Sequence, residues 1–472
     1  MRKKNLKRTI GLALASVMFA GSLAGCGGGG TESSAVQTKA DVPSNPAEAG
    51  TEETAADMDL GGMEIIIGDW WSSGEDAAPM TAQEEATNEY RQMIQETYNF
   101  TIKQKSIGDW GSHQETFTVS TMAEDPKAQV FIMDSSMVAQ PMANGLFYDL
   151  ASLDNIDVHD SKWNASVTEL MSRGEQVYGL AAGAPEPRLG VFWNKRLFKE
   201  AGLDPDLPYT LQADGQWTWD QFEELCSKLT VDKDNDGTTD VYAMASFSAD
   251  FFNGAVMSND AQWIGKDADG KYVNSTTEPQ FLEAMQWGRG LIDKGYEMPT
   301  ADGANWDWFV AAFHDGKTAM TVAEEFKVSG WKDMEDEYGF VMFPKGPRAA
   351  DYVTNVNENV AVIPACYDKE TAEKIAFAYN LYTNPTPGYE EEDDWKNSYY
   401  SAFCDERAVD ETLSMMREPE HQRITYASVV YGIEVGDIVF DVYGGWATPA
   451  ERIEKAAGVW QAALDDANKN IN

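Results

Sequence analysis

Apolar residues in this chain recur in two rhythms, every second position and every third or fourth, and the switches between them mark out alternating strands and helices. Met63 to Ile67 (M-E-I-I-I) reads as a strand, followed by the loop G-D-W-W-S-S-G-E-D. Thr81 and Glu84 have capping-box spacing, and Ala86, Tyr90, Met93, Ile94 and Tyr98 recur at helical intervals. F-T-I-K-Q-K-S-I is the next strand, which completes a βαβ unit. Asp109-Trp110 opens a second loop and helix, and A-Q-V-F-I-M is a third strand with Asp134-Ser135-Ser136 at its carboxyl end. Ligands of open α/β sheets gather beyond the carboxyl ends of strands, so Asp69, Trp70, Trp71 and Asp134 are expected at one rim.

Gln176 to Lys195 (Q-V-Y-G-L-A-A-G-A-P-E-P-R-L-G-V-F-W-N-K) reads as two short strands broken by a Gly/Pro linker. Prolines fix φ, so this stretch can carry the chain between two compact bodies as a hinge, with Glu186 and Arg188 facing the crevice. Beyond it lie a short helix closed by Gly202, a loop from Leu203 to Gln216, and a helix with Thr218 as N-cap. On that helix Trp219, Phe222, Leu225, Cys226 and Leu229 share a core-facing side. Helices and strands keep alternating through F-L-E-A-M-Q-W-G-R-G-L-I-D-K-G, through the helix, Gly316 turn and strand of D-W-F-V-A-A-F-H-D-G-K-T-A-M-T-V, and through Y-G-F-V-M-F-P-K-G-P. The last of these ends in Pro and Gly and reads as a second crossing. E-N-V-A-V-I-P and a helix from Glu370 to Tyr382 return to the first body. The acidic, Pro-rich T-N-P-T-P-G-Y-E-E-E-D-D leaves it again, and the C-terminal helices, with Ala450 to Asn468 the clearest, pack on the second.

A length of 472 residues suggests two or three domains, and 43% apolar residues can fill their cores. Met1 to Gly25 does not join this pattern. It has a basic head, a short apolar body from Ile10 to Leu23, and L23-A24-G25-C26, a small-residue cleavage site ending in Cys. That body is too short for a membrane span, which needs about 20 apolar residues. The tetrapeptide resembles the lipobox of bacterial lipoproteins, which implies that Cys26 becomes the lipid-bearing first residue. Residues 26–62, rich in Gly, Ser, Thr, Pro and acids, form a flexible tether.

Removing the five basic residues of the leader takes the net charge from −42 to −47. Such a charge disfavours nucleic acid and anionic headgroups as partners. Cys226, Cys366 and Cys404 have no paired spacing, so they are expected as buried free thiols, with a single bridge among them left open. The four His are scattered, and H-E-x-x-H, G-x-S-x-G and a phosphate-binding glycine loop are missing from the sequence.

Taken together and in order, several segments resemble the family 1 extracellular solute-binding proteins of ABC importers, typified by the maltodextrin-binding protein. They are Y-G-L-A-A-G, L-G-V-F-W-N-K-R-L-F-K-E-A-G-L-D-P, W-T-W-D-Q-F-E-E-L-C-S-K-L, A-Q-V-F-I-M-D-S-S-M-V-A-Q-P-M-A-N-G-L-F-Y-D-L, F-H-D-G-K-T-A-M and T-P-A-E-R-I-E-K-A. The resemblance implies an α/β, two-lobed periplasmic-binding-protein-like fold of type II, its lobes joined by crossing hinge segments. Residues 63–184 plus 344–392 are expected as one lobe and 185–343 plus 393–472 as the other. It further implies a monomer at the outer face of the cell membrane that takes a sugar or oligosaccharide in the cleft and delivers it to permease subunits. A binder of another solute such as a peptide or polyol, a surface polysaccharide-degrading enzyme and a structural surface lipoprotein remain as alternatives.

Sugars present hydroxyl edges and weakly apolar faces, so a binder needs acceptors beside aromatic plates. Trp70 and Trp71 supply plates and Asp69 an acceptor; Asp134 follows a strand whose family counterpart carries a contacting acid, its alternative role being a helix N-cap. By the family's layout, second-lobe contacts are expected from Glu186 or Arg188, Phe251, Phe252, Glu324 and Tyr431, and more loosely from Trp263 and Trp306. The chain also carries D-K-D-N-D-G-T-T-D. Asp232, Asp234, Asp236 and Asp240, with the Thr238 carbonyl and a turn at Gly237, match the start of a calcium loop, and Ala243 replaces its usual final Glu. A structural calcium is expected there, and no organic cofactor.

Overall fold

A computed structural model describes residues 58–73, 82–184, 188–356, 359–389 and 394–470. The leader, Cys26, most of the tether, Thr81 and Glu186 lie outside the described residues.

The first sheet grows from strand β1 (Met63–Asp69), helix α1 (Ala82–Tyr98), β2 (Phe100–Ser106), α2 (Trp110–Met122) and β3 (Val130–Asp134). β1 and β2 pair in parallel over their whole length, with Asp69 opposite Ser106, and β3 lies parallel on the other side of β1. Side chains alternate across a strand, and on β3 both faces are covered. Val130 belongs to one buried cluster with the partly buried Ile132 packed against it, and Phe131 and Met133 belong to another.

The chain then crosses to a second sheet, and β4 (Leu189–Asn194) is buried at all six positions. It is followed by α3 (Trp219–Leu229), β5 (Tyr242–Ser246), α4 (Ser248–Ser258), α5 (Pro279–Asp293), β6 (Thr318–Glu324) and β7 (Tyr338–Met342). The strand order is β7-β4-β6-β5, with β6 antiparallel to β4 and parallel to β5. At Gly190 an added Cβ would meet the Val341 carbonyl oxygen at 2.5 Å, so only glycine lets β7 lie this close.

β8 (Thr354–Val356) lies on the second passage. β9 (Asn359–Val362) re-enters the first sheet, antiparallel to β3 with Asn359 opposite Asp134, and gives the order β9-β3-β1-β2. Helix α6 (Lys369–Tyr382) covers that sheet with Ile375 and Phe377. After a third passage, β10 (Gln422–Ile424) pairs in parallel with β8, and α7 (Val435–Tyr443) and α8 (Pro449–Ala467) follow. A full capping box, Thr448 with Glu451, starts α8.

The structure differs from the expectations in three places. Leu203–Gln216 is not all loop: Leu207–Ala213 is a helix, because its polar groups serve the edge strand β7. The Gln212 side chain accepts from Met342 N at 2.7 Å and the Tyr209 hydroxyl accepts from Phe340 N at 3.4 Å. The first strand of the hinge shrinks to Gln176–Val177, while Leu180 exchanges backbone hydrogen bonds with Ala361 of β9. Of the three thiols, all free, only Cys226 is buried; Cys404 is exposed.

Candidate functional site

Strand direction brings the carboxyl ends of β1, β2 and β3 to one rim of the first sheet. Asp69 is wholly buried there and accepts from Trp71 N (3.1 Å), Ser72 N (2.9 Å), the Ser72 hydroxyl and Gln104 Nε2 (2.8 Å). Its oxygens are committed inside the fold, so it is no ligand acceptor. It builds the turn that presents the two tryptophans. Trp70 is half-buried, edge-on to Trp71 (centroids 4.7 Å apart) and to His113 (5.2 Å). Trp71 is 43% exposed, as is Trp110 at the start of α2, a rim residue that sequence reasoning passed over. Burial holds His113 below the usual imidazole range, so the ring is neutral at pH 7, and Nε2 lies 2.8 Å from the Ile132 carbonyl it serves as donor. Asp134 caps the turn after β3, accepting from Ser136 N at 2.8 Å. The capping role is therefore real, and the residue is half-buried.

The rim of the second sheet is built at the carboxyl ends of β5 and β6. Glu324 ends β6, and Glu325 follows, fully buried, its backbone N–H donating to the Arg188 carbonyl at 3.0 Å. Arg188 Nη1 lies 3.6 Å from Glu325 Oε1, both side chains nearly inaccessible, which ties the end of the first passage to β6. Asp250, in the first turn of α4, shares its surroundings with Glu324. Burial and the Glu324 charge raise the Asp250 carboxyl, against a lowering by Lys327. Burial also raises Glu324, with Arg188 and Lys327 lowering it and Asp134, from the first sheet, raising it. The Lys327 ammonium stands 4.4 Å from the ring centre of Trp306 and 4.7 Å from that of Phe326. Trp306 is 58% exposed and packs edge-on to Phe247.

Phe251, Phe252 and Trp263 are placed in the core rather than at the rim. Phe251 and Phe252 are buried there, Phe251 against Trp287 and Phe343 and Phe252 against Phe251, because the fourth and fifth positions beyond the N-cap of α4 point inward. Trp263 is equally buried, its indole N–H bound to Asn253 Oδ1 at 2.8 Å and its ring against Phe281 and Trp460. Tyr431 is exposed ahead of α7. The residues that do gather with Glu324 and were missed are Asp250, Lys327 and Phe326. Asp250 immediately precedes the pair selected from sequence, and only the helix phase separates the two faces.

In the loop from Asp232 to Asp240, carboxylate oxygens of Asp232, Asp234 and Asp240 lie within 4.8 Å of one another. Asp232 accepts from Asn235 N and Gly237 N, and the turn passes through Gly237 at φ 90°. Asp236 is outside that group and accepts from Thr238 N at 2.7 Å.

Two sheets, each ending strands at a rim with indoles and carboxylates, with the chain passing between them three times, form a device for enclosing a solute. The profile of the bacterial extracellular solute-binding proteins matches residues 89–390. The chain belongs to this family. These solute-binding proteins are extracytoplasmic, and no helix among the described residues of the present member is long and apolar enough to cross a membrane. Solved structures of similar fold include an ABC substrate-binding protein of Listeria monocytogenes in complex with cycloalternan, 17% identical, with a TM-score of 0.58 over 86% of this chain and 98% of that one. A cyclic alpha-maltosyl-1,6-maltose binding protein from Arthrobacter globiformis is 16% identical, with a TM-score of 0.59 over 87% and 98%. UgpB of Mycobacterium tuberculosis in complex with glycerophosphocholine is 17% identical, with a TM-score of 0.60 over 86% and 99%. No curated protein matches the chain.

Proposed function

We propose that this chain is the substrate-binding lipoprotein of an ABC importer and that it takes a carbohydrate between its two sheets. What supports this reading is the build of the two rims: Trp70, Trp71 and Trp110 follow strands of the first sheet and Asp134 ends one, and Glu324 with the exposed Phe326 and Trp306 belongs to the second. Indole faces stack on the C–H faces of sugar rings, and carboxylates accept from hydroxyls. Two of the structures that share the fold hold a glycan or are named for one, and a third holds glycerophosphocholine. Closure on the ligand follows from contacts that only the closed form makes with both walls. A thermal-shift panel of glycans, polyols, peptides and glycerophosphodiesters tests the reading. Stabilisation by a glycan supports it, and stabilisation by one of the other classes alone replaces it.

Cys26 is proposed to carry the lipid, so incorporation of a labelled fatty acid is lost in Cys26→Ser. The loop from Asp232 to Asp240 is proposed to hold calcium through Asp232, Asp234 and Asp240. Hard carboxylate oxygens at this spacing suit that ion.

A further inference from the structure

Behind the aromatic pair of the first rim lies a side chain that ligand binding leaves unused. His113, on α2, is wholly buried. Its Nε2 lies 2.8 Å from the Ile132 carbonyl of β3, which can only accept, so Nε2 carries the ring proton and Nδ1 is bare. Among the described residues Nδ1 has no hydrogen-bond partner. The ring packs against the fully buried Phe131, 5.9 Å between centroids, and against the half-buried Trp70, edge-on at 5.2 Å; Trp70 in turn stands edge-on to Trp71 at 4.7 Å. The charged groups on the surrounding elements are Asp109 and Glu115 at the start of α2, Asp134 at the end of β3 and Asp69 at the end of β1, and of these Asp69 is the one whose charge acts on the ring. Both Asp69 oxygens already accept two hydrogen bonds each, from Trp71, Ser72 and Gln104, and have no lone pair left for a proton on Nδ1. A buried cationic N–H without an acceptor is costly, and burial accordingly holds the imidazole below its ordinary 6.5, against raising by the Ile132 bond and by Asp69. Phe131 and the Ile132 carbonyl are fixed in β3, whereas Trp70 lies on the turn beyond β1 with part of its surface in solvent. It is the neighbour that can give way.

We infer that His113 is the positioning residue of the aromatic pair: its neutral ring, tied to β3 through Nε2, holds Trp70 edge-on and through it Trp71, and uptake of a solvent proton on Nδ1 displaces both. The new N–H must find water, and it finds it by moving Trp70 aside. The pair is set for a ligand while the ring is neutral, and the grip of this rim weakens as pH falls below 6.5. The functional consequence rests on the reading that Trp70 and Trp71 face the ligand.

The test follows fluorine-19 resonances of the protein labelled with 5-fluorotryptophan, Trp70 and Trp71 being assigned through Trp70→Phe and Trp71→Phe. The difference in shift between H2O and D2O measures how far each indole is exposed. Between pH 7.5 and pH 5 that difference is expected to rise about twofold for Trp70, with Trp71 changing at the same midpoint, while the fully buried Trp193 and Trp217 keep theirs. In His113→Gln, whose amide keeps a donor and carries no titrating proton, Trp70 is expected to stay unchanged over the same range. A constant Trp70 in the unaltered protein, the same rise in His113→Gln, or a rise shared by Trp193 and Trp217 overturns the inference. If His113→Gln fails to fold, the imidazole resonances of His113 in the unaltered protein decide: a midpoint equal to that of Trp70 supports the inference, and a different one overturns it. No ligand enters this test, so its failure leaves the carbohydrate reading standing, and the glycan panel decides that reading separately.

Discussion

Trp70 and Trp71 are neighbours in sequence with different duties. Trp70 is wedged between Trp71 and His113, whereas Trp71 stands 43% exposed on a turn that Asp69 holds from beneath. Trp71→Ala is expected to weaken ligand binding by about 1–3 kcal/mol, the usual cost of losing a buried aromatic contact, with no change in melting temperature. Trp70→Ala is expected to lower both affinity and melting temperature. Calorimetry beside thermal unfolding separates the two, and equal affinities in both variants would remove this loop from the site. A second residue-scale prediction concerns Glu297, 5% exposed beside β5, where Oε1 accepts from Ser246 N (3.0 Å) and the Tyr443 hydroxyl (3.1 Å). Burial pushes its carboxyl up to about 8. The folded protein therefore holds a proton there that the unfolded chain releases near pH 4.5. Its stabilising contribution is fully present below that pH and is lost as pH rises towards 8. Denaturation from pH 5 to 8 is expected to show the unaltered protein losing roughly 2–4 kcal/mol relative to Glu297→Gln, at about 1.4 kcal/mol per pH unit.

At the scale of elements, periodicity was a sound guide to which helices and strands exist and a poor one to which side faces the gap. The face of α3 was legible because Trp219, Phe222, Leu225, Cys226 and Leu229 recur at helical spacing, and all five are buried. On α4 the family's layout points to the adjacent Phe251 and Phe252. Aromatic composition cannot tell a plate from a core residue, and Asp250 one step earlier carried the rim. The helix at Leu207–Ala213 was hidden because its cause is tertiary, the unpaired N–H groups of β7 that Gln212 and Tyr209 satisfy. The acidic loop was legible in full as a motif, and three of its four carboxylates converge. Calcium in hundredfold excess over its dissociation constant is expected to stabilise the protein by about 2.7 kcal/mol, read as a rise in melting temperature that chelation reverses and Asp232→Asn abolishes.

For the molecule as a whole, two sheets with right-sized strands and helices followed from the order of patterns, but the joining of their cores did not. One buried cluster contains Trp193, Phe192 and Phe340 of the second sheet together with Phe131 and Met133 of the first and Phe117 of α2. No local pattern announces a contact between residues so far apart in the chain. Polar contacts add to it: Arg173 Nη2 donates to the Val429 carbonyl at 3.1 Å, and the Tyr426 hydroxyl donates to Glu169 at 2.7 Å. The net charge of −42 works against this compactness. Raising sodium chloride from about 0.01 to 0.3 M, which shrinks the screening length from about 30 Å to well under 10 Å, is expected to raise the melting temperature by a few degrees. A flat or falling profile would show that the acids are locally compensated.

The short parallel pair of β8 and β10 ties a strand of the second passage to one that lies within the last tenth or so of the sequence. The helices that follow β10 supply Ile438, Val442, Ile453, Trp460 and Leu464 to the same buried interior, so one late stretch of chain brings both the joint and the last of the core. A product lacking that stretch would lose the tie between the passages together with part of the core beneath the second sheet, so grip and stability would fail at once.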